Sequence, residues 1–134
     1  AMPQYGDASF DFAHSNSVIE HVGSLQNMAR MADETRRVAR AYYVQTPYLW
    51  FPMEPHYGVP FFHWLPAPTR AALGWRRKIG WRAQMPTWRE SAALADHTQL
   101  VDRTLMRELF PDAEHRNERF ALMTKSLIAF RRAE

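Results

Sequence analysis

A strand, a helix and a second strand follow one another in the first third of this chain. Residues 9 to 16, SFDFAHSN, combine aromatic side chains with a polar end, which is typical of a buried strand that stops at the carboxyl edge of an α/β sheet. Residues 25 to 40 then repeat apolar side chains at helical spacing, and residues 41 to 47, AYYVQTP, are β-branched and aromatic. This order predicts a βαβ unit with two parallel, neighbouring strands and a right-handed crossover.

The next segment, residues 48 to 90, is irregular. It holds six prolines, which exclude regular strands over much of its length, and short helical pieces are expected around residues 59 to 65 and 69 to 80. With 134 residues in total, of which 46% are hydrophobic, the chain fits one domain. We therefore predict a single partial domain over residues 1 to 134, with residues 48 to 90 as a lid-like insertion.

A helix and two strands are expected in the last third. Residues 100 to 112 place leucine, methionine and phenylalanine on one helical face. Residues 114 to 122 and 125 to 132 are predicted to be strands, joined by a tight connection at Met123 and Thr124. The last strand is the more hydrophobic of the two and is expected to be the more central.

Polar residues follow the first strand in the run SNSVIEHV, residues 15 to 22. Open α/β sheets bind ligands at such strand ends, although these residues could also only end the strand and cap the next turn. Ser17 and Glu20 have the spacing of a capping box, in which each side chain satisfies a free backbone donor. His21 is either a general base with a pKa near neutrality or a buried histidine that bonds the backbone.

Four runs of sequence carry a more specific signal: FDFAHSNSVIEHV, RRVARAYYVQTPYLWFPMEPH, LMRELFPDAE and KSLIAFRR. Together they resemble the C-terminal half of class I S-adenosylmethionine (SAM) dependent methyltransferases of the small-molecule type, which have a seven-stranded Rossmann-like sheet. The resemblance covers nearly the whole chain. It implies the last four strands of that sheet, arranged as βαβ, a long insertion, and αββ with an antiparallel terminal hairpin.

The same resemblance implies three groups of site residues. The implied catalytic residues are His21 and Glu20. The implied cofactor-binding residues, near the methionine portion of SAM, are Ser15, Asn16 and Ser17. The implied substrate-binding residues are Gln45, Thr46, Tyr48 and His56.

The main SAM-binding elements of that family are not found in this sequence. The five glycines are isolated, so no glycine-rich turn follows a strand, and the acidic residue that bonds the ribose hydroxyls has no counterpart. We therefore expect a truncated methyltransferase that is inactive alone, and the sequence does not by itself establish an enzyme. SAM is the cofactor implied by the resemblance, and this chain alone is not expected to bind it.

No metal site is predicted from the spacing. Some relatives bind a cation with a Glu-His pair near this position, and Glu20, His21, His56 and His63 would form a site if the fold brought them together. There is no cysteine, which excludes disulfides and thiolate ligands and fits a cytoplasmic location.

Partners are suggested by two further features. A sheet that begins at residues 9 to 16 exposes an apolar edge strand, which predicts a homodimer or a partner protein paired along that strand. Residues 75 to 90 interleave tryptophan with arginine and lysine, which is typical of a lid over a small-molecule or lipid-like acceptor. The alternatives are that the chain is an interaction module acting through its first strand, or that residues 70 to 90 bind a membrane surface or, less in keeping with the pattern, nucleic acid.

Overall fold

The computed structural model describes residues 2 to 133 as a mixed α/β fold with a four-stranded mixed sheet and four α-helices. The strands are β1 (Phe10–Asn16), β2 (Ala39–Pro47), β3 (Met53–Glu54), β4 (Val59–Pro60), β5 (Glu114–Phe120) and β6 (Met123–Arg131). The helices are α1 (Leu25–Val38), α2 (Ala67–Arg76), α3 (Trp88–His97) and α4 (Arg103–Leu109), with 3-10 turns at Ile19–His21 and Phe62–Trp64.

The βαβ unit is confirmed. Strands β1 and β2 are parallel, with Phe10 opposite Ala39, and α1 crosses between them. Helix α1 begins after Ser24, whose side chain accepts a hydrogen bond from the backbone N–H of Asn27 and so satisfies one of the free donors of the first turn. This cap places the start of the helix directly behind the polar run that follows β1.

The strand order in the sheet is β1-β2-β6-β5, so the last strand lies between β2 and β5 as its hydrophobicity predicts. Strand β6 is antiparallel to both neighbours. The connection between β5 and β6 differs from the prediction, because it is made by Ala121 and Leu122, both with positive φ, two residues before the expected position. Two consecutive residues with positive φ match the tight two-residue hairpin turn whose twist suits antiparallel strands.

The core lies on one face of the sheet. Tyr42 and Val44 of β2 and Leu127 of β6 are buried in one cluster with Met28 of α1 and Phe110, the residue that follows α4. The opposite face, which carries alternate residues of the same strands, stays partly exposed at Phe12, Tyr43 and Phe130. Strand β1 is also the sheet edge, as expected for a sheet that begins at residues 9 to 16. Phe12 on it is 56% exposed, so SFDFAHSN is not the buried strand that its composition suggests.

The segment between β2 and α4 contains one more helix than the sequence predicts. Helix α2 lies in the expected region, but α3 was not predicted, because its apolar pattern is short and rich in alanine. Thr87 caps α3 by accepting from the N–H of Glu90, and α3 packs on α2 where Ser91 donates to the carbonyl of Ala71. The absence of a side chain at Gly74 permits this approach, since a Cβ there would lie 2.7 Å from the Ser91 hydroxyl.

Helix α4 is shorter than residues 100 to 112. Asp102 caps it by accepting from the N–H of Leu105, and Val101 before it forms an isolated parallel bridge with Tyr48. Because the backbone at Val101 takes part in this bridge, the helix begins only after Asp102, later than the apolar pattern predicts. Among residues 2 to 133, no helix combines the length and the apolar character that crossing a membrane requires.

Candidate functional site

The carboxyl ends of β1 and β2 meet at one edge of the sheet. The backbone N–H of Ser17, just after β1, donates to the carbonyl of Gln45 on β2 at 2.9 Å, which joins the two strand ends. A cavity of about 470 Å³ opens beside them, with Asn16, Ser17, Gln45 and Tyr48 in its wall. Four of the nine predicted site residues therefore line one cavity, where parallel strands of α/β proteins bind ligands.

The predicted cofactor-binding residues occupy different environments. Ser17 has a left-handed backbone with φ of 54°, and its hydroxyl donates to the side-chain oxygen of Asn16 at 3.2 Å. Serine rarely adopts this conformation, and such strain is found mostly at binding sites. Ser15 points elsewhere: it does not line the cavity, and its hydroxyl is buried without a hydrogen-bond partner among the described residues.

Gln45 is held by two partners that the sequence did not indicate. Its side-chain oxygen accepts from the Tyr43 hydroxyl at 2.7 Å, and its NH₂ group donates to Glu118 of β5 at 2.8 Å. The hydrogen bond from the Ser126 hydroxyl, helped by Lys125, holds the pKa of Glu118 below its ordinary value. Glu118 is therefore an anion that fixes the orientation of the Gln45 amide in the cavity wall.

Thr46 lies on the other side of β2 and does not line the cavity. It is buried, and its hydroxyl donates to Oε2 of Glu20 at 2.8 Å. Glu20 is 0% exposed, and no described residue bonds its other oxygen, Oε1. The capping box is wrong, because the 3-10 turn that contains Glu20 has no side-chain cap and Glu20 turns inward to Thr46 instead of back to Ser17.

Two histidines adjoin this buried carboxylate. Nε2 of His56 lies 3.0 Å from Nε2 of His21, and Nδ1 of His56 lies 2.7 Å from a carboxylate oxygen of the buried Glu54. Because a carboxylate only accepts, the hydrogen of neutral His56 is on Nδ1 and its Nε2 presents a lone pair toward His21. Glu54 also accepts from the N–H of Tyr57, so this carboxylate orients the His56 ring.

The pKa of His21 is lowered. Burial is the main cause and the neighbouring His56 adds to it, while Glu20 acts in the opposite direction. His21 is therefore neutral at pH 7. Its Nε2–H donates to the lone pair of His56, so its own lone pair is on Nδ1 unless a cation takes the place of the Nε2 hydrogen. Its Nε2 lies 4.0 Å from the unpartnered Oε1 of Glu20.

Three of the four residues considered for a metal site are brought together. Ligand atoms of Glu20, His21 and His56 all lie within 4.8 Å of one another. The fourth, His63, is apart from them, because its Nε2 bonds the carbonyl of Leu49 at 2.9 Å. Two imidazole nitrogens on one tetrahedral zinc ion stand about 3.3 Å apart, close to the separation of the two histidines here. The cluster can therefore hold a divalent cation with little movement of its side chains.

Comparisons with protein-family models, with curated proteins and with solved structures give no match for this chain.

Proposed function

We propose that this chain is the acceptor-side part of a SAM-dependent methyltransferase and that it does not bind SAM firmly by itself. The observation that carries the proposal is one cavity at the ends of the parallel strands β1 and β2, lined by members of two of the three groups of residues that the resemblance implies, the cofactor-binding and the substrate-binding residues. The strand arrangement supports it as well, since an antiparallel last strand lies beside β2 as the resemblance expects.

The residues present fit only part of SAM. Asn16 and Ser17 offer a hydroxyl and an amide for the amino acid portion, but the chain has no glycine-rich turn for close backbone approach and no acid for the ribose. SAM would supply an activated methyl group. This chain would supply the acceptor side: Gln45 and Tyr48 orient the acceptor in the cavity, which His21 does not line.

The open edge of β1 is the place where we propose that a partner pairs. The apolar rings of Phe10 and Phe12 are exposed along a strand with no neighbour on its outer side among residues 2 to 133. Such edges invite pairing, either with a second copy around a twofold axis or with a protein that supplies the missing strands. A homodimer by sedimentation equilibrium is the expected result, and a stable monomer at micromolar concentration would count against pairing between copies.

Isothermal titration with S-adenosylhomocysteine tests the proposal on the purified chain of known oligomeric state. We expect no binding at micromolar concentrations, because the adenosine half of the ligand finds no site. Binding of micromolar strength would show that the chain rebuilds a cofactor site without a glycine-rich turn, and the claim of inactivity alone would then be wrong.

A second function is favoured by the cluster of Glu20, His21 and His56, for which we propose binding of a divalent cation such as zinc. The buried, unpartnered Oε1 of Glu20 carries this proposal, because leaving a carboxylate oxygen buried without a partner is costly and a cation would satisfy it. Glu54 orients His56 from behind, as outer carboxylates orient metal-bound histidines.

Titration with cobalt(II) as a spectroscopic substitute for zinc tests the second function. We expect one equivalent of cobalt(II) to bind and to give the strong visible absorption that is typical of a low coordination number. The variant His56→Asn should bind cobalt(II) at least tenfold more weakly. His63→Gln is the matched control, since His63 lies outside the cluster. Equal affinity in both variants would refute the assignment.

A further inference from the structure

The insertion carries an exposed aromatic cluster, formed by Trp50, Phe61 and Trp64. The Trp64 ring lies 5.9 Å from that of Trp50 and 5.0 Å from that of Phe61, measured between ring centres. The three side chains are 58%, 52% and 43% exposed in the order Trp50, Phe61, Trp64. Contiguous apolar surface of this kind marks an interaction site more often than isolated exposed residues do.

Phe61 is held outward by a strained backbone. Its φ is 60°, a conformation that is rare for a bulky residue, and its N–H donates to the carbonyl of Pro52 at 2.7 Å. This backbone conformation is unfavourable, and it leaves about half of the apolar side chain exposed to water. Only about half of the side chain is buried in return for this unfavourable backbone, and a binding partner for the exposed half would account for it.

A groove lined by apolar and basic residues adjoins the cluster at Phe61. It has a volume of about 400 Å³, its wall is apolar at Phe61, Leu65 and Leu73, and Arg77 and Lys78 line it as well. Residues 55 to 89 hold six arginine and lysine residues and no acidic residue. The nearest preceding acid, Glu54, is buried and bonded, so its charge is not presented here.

From these features we propose that the surface of Trp50, Phe61, Trp64, Leu65, Arg77 and Lys78 binds the face of an anionic lipid bilayer. Aromatic and leucine side chains enter the boundary between headgroups and acyl chains, and the groove accepts part of an acyl chain, while the two cations meet lipid phosphates or carboxylates. Single-stranded nucleic acid fits less well: the exposed rings could stack on bases, but aliphatic side chains such as Leu65 and Leu73 line the groove and offer bases neither a stacking plane nor a hydrogen bond. This inference is independent of the proposed methyltransferase function.

Sedimentation with vesicles tests the proposal on the whole chain. We expect binding to vesicles of phosphatidylcholine with about 30% phosphatidylserine, and binding at least tenfold weaker to phosphatidylcholine alone. The double variant Arg77→Glu/Lys78→Glu should lower the partition coefficient by at least about 30-fold, since each cation near an anionic surface contributes about 1 kcal/mol and the two glutamates are repelled as well. Its matched control is Arg30→Glu/Arg107→Glu, two exposed cations on α1 and α4.

The variant Phe61→Asn separates binding from folding. Asparagine accepts a positive φ more readily than phenylalanine, so this variant should unfold at an equal or higher temperature and yet bind vesicles about tenfold more weakly. Phe120→Ala at the β5–β6 hairpin is the control for loss of an exposed ring. Equal loss in the control variants, or tighter binding to a thymidine oligonucleotide than to the anionic vesicles, would overturn the proposal.

Discussion

Replacing Thr46 with valine tests how the buried carboxylate at the site is held. The change keeps the shape of the side chain and removes the hydroxyl that donates to Glu20 at 2.8 Å. Because Glu20 is 0% exposed and its other oxygen has no described partner, the variant leaves the whole carboxylate without a protein donor. An unsatisfied buried acceptor costs about 1 to 3 kcal/mol, with charged groups at the upper end. At about 4 °C per kcal/mol, Tm should fall by about 4 to 12 °C.

Urea unfolding of four proteins isolates this interaction. The wild type, Thr46→Val, Glu20→Met and the double variant form a cycle in which methionine replaces the carboxylate by an apolar chain of similar length. In the Glu20→Met background the valine should cost less than about 0.5 kcal/mol, because no buried acceptor is then deprived of its donor. A cost below about 0.5 kcal/mol in the wild-type background as well would refute the reasoning.

Two further predictions concern the insertion. Burial lowers the pKa of His63, whose Nδ1 is buried without a described partner. The folded protein therefore favours the neutral ring, and the free energy of unfolding should fall as the pH drops below 6.5, the ordinary pKa of histidine. The curve of Tm against pH should be flatter in His63→Gln, and parallel curves would contradict this account. Gly80 has a φ of 54°, and a Cβ there would lie 1.8 Å from the carbonyl oxygen of Tyr57, so Gly80→Ala should destabilise by more than about 2 kcal/mol. Gly6→Ala, with 3.7 Å to its nearest neighbour, is the control in urea unfolding and should change stability by less than about 0.5 kcal/mol.

The local elements were predictable where side-chain periodicity and caps agree. The cap at Ser24 and the apolar spacing of α1 give the helix, and the β-branched run after it gives β2. Helix α3 was not predicted because it lacks a strong apolar stripe. It is stabilised instead by packing on α2, where Ser91 donates a hydrogen bond. Local patterns do not report such contacts between elements.

The site was predictable in position but not in its internal bonds. Strand ends are visible in the sequence, so Asn16, Ser17 and Gln45 could be placed at one edge. Glu118 is 73 residues from Gln45 along the chain, and only the sheet order brings them together. The spacing of Ser17 and Glu20 suggested a cap, but one oxygen of Glu20 instead accepts from the hydroxyl of Thr46, 26 residues away along the chain.

The most direct test of the central claim is a ¹⁵N NMR titration of the chain with S-adenosylhomocysteine at millimolar concentration. If the ends of β1 and β2 form the methionine-side part of a methyltransferase site, weak binding should shift the amide signals of Asn16, Ser17 and Tyr48 while the rest of the spectrum stays in place. An unchanged spectrum, or shifts centred on the groove at residues 59 to 80, would contradict the assignment of this edge.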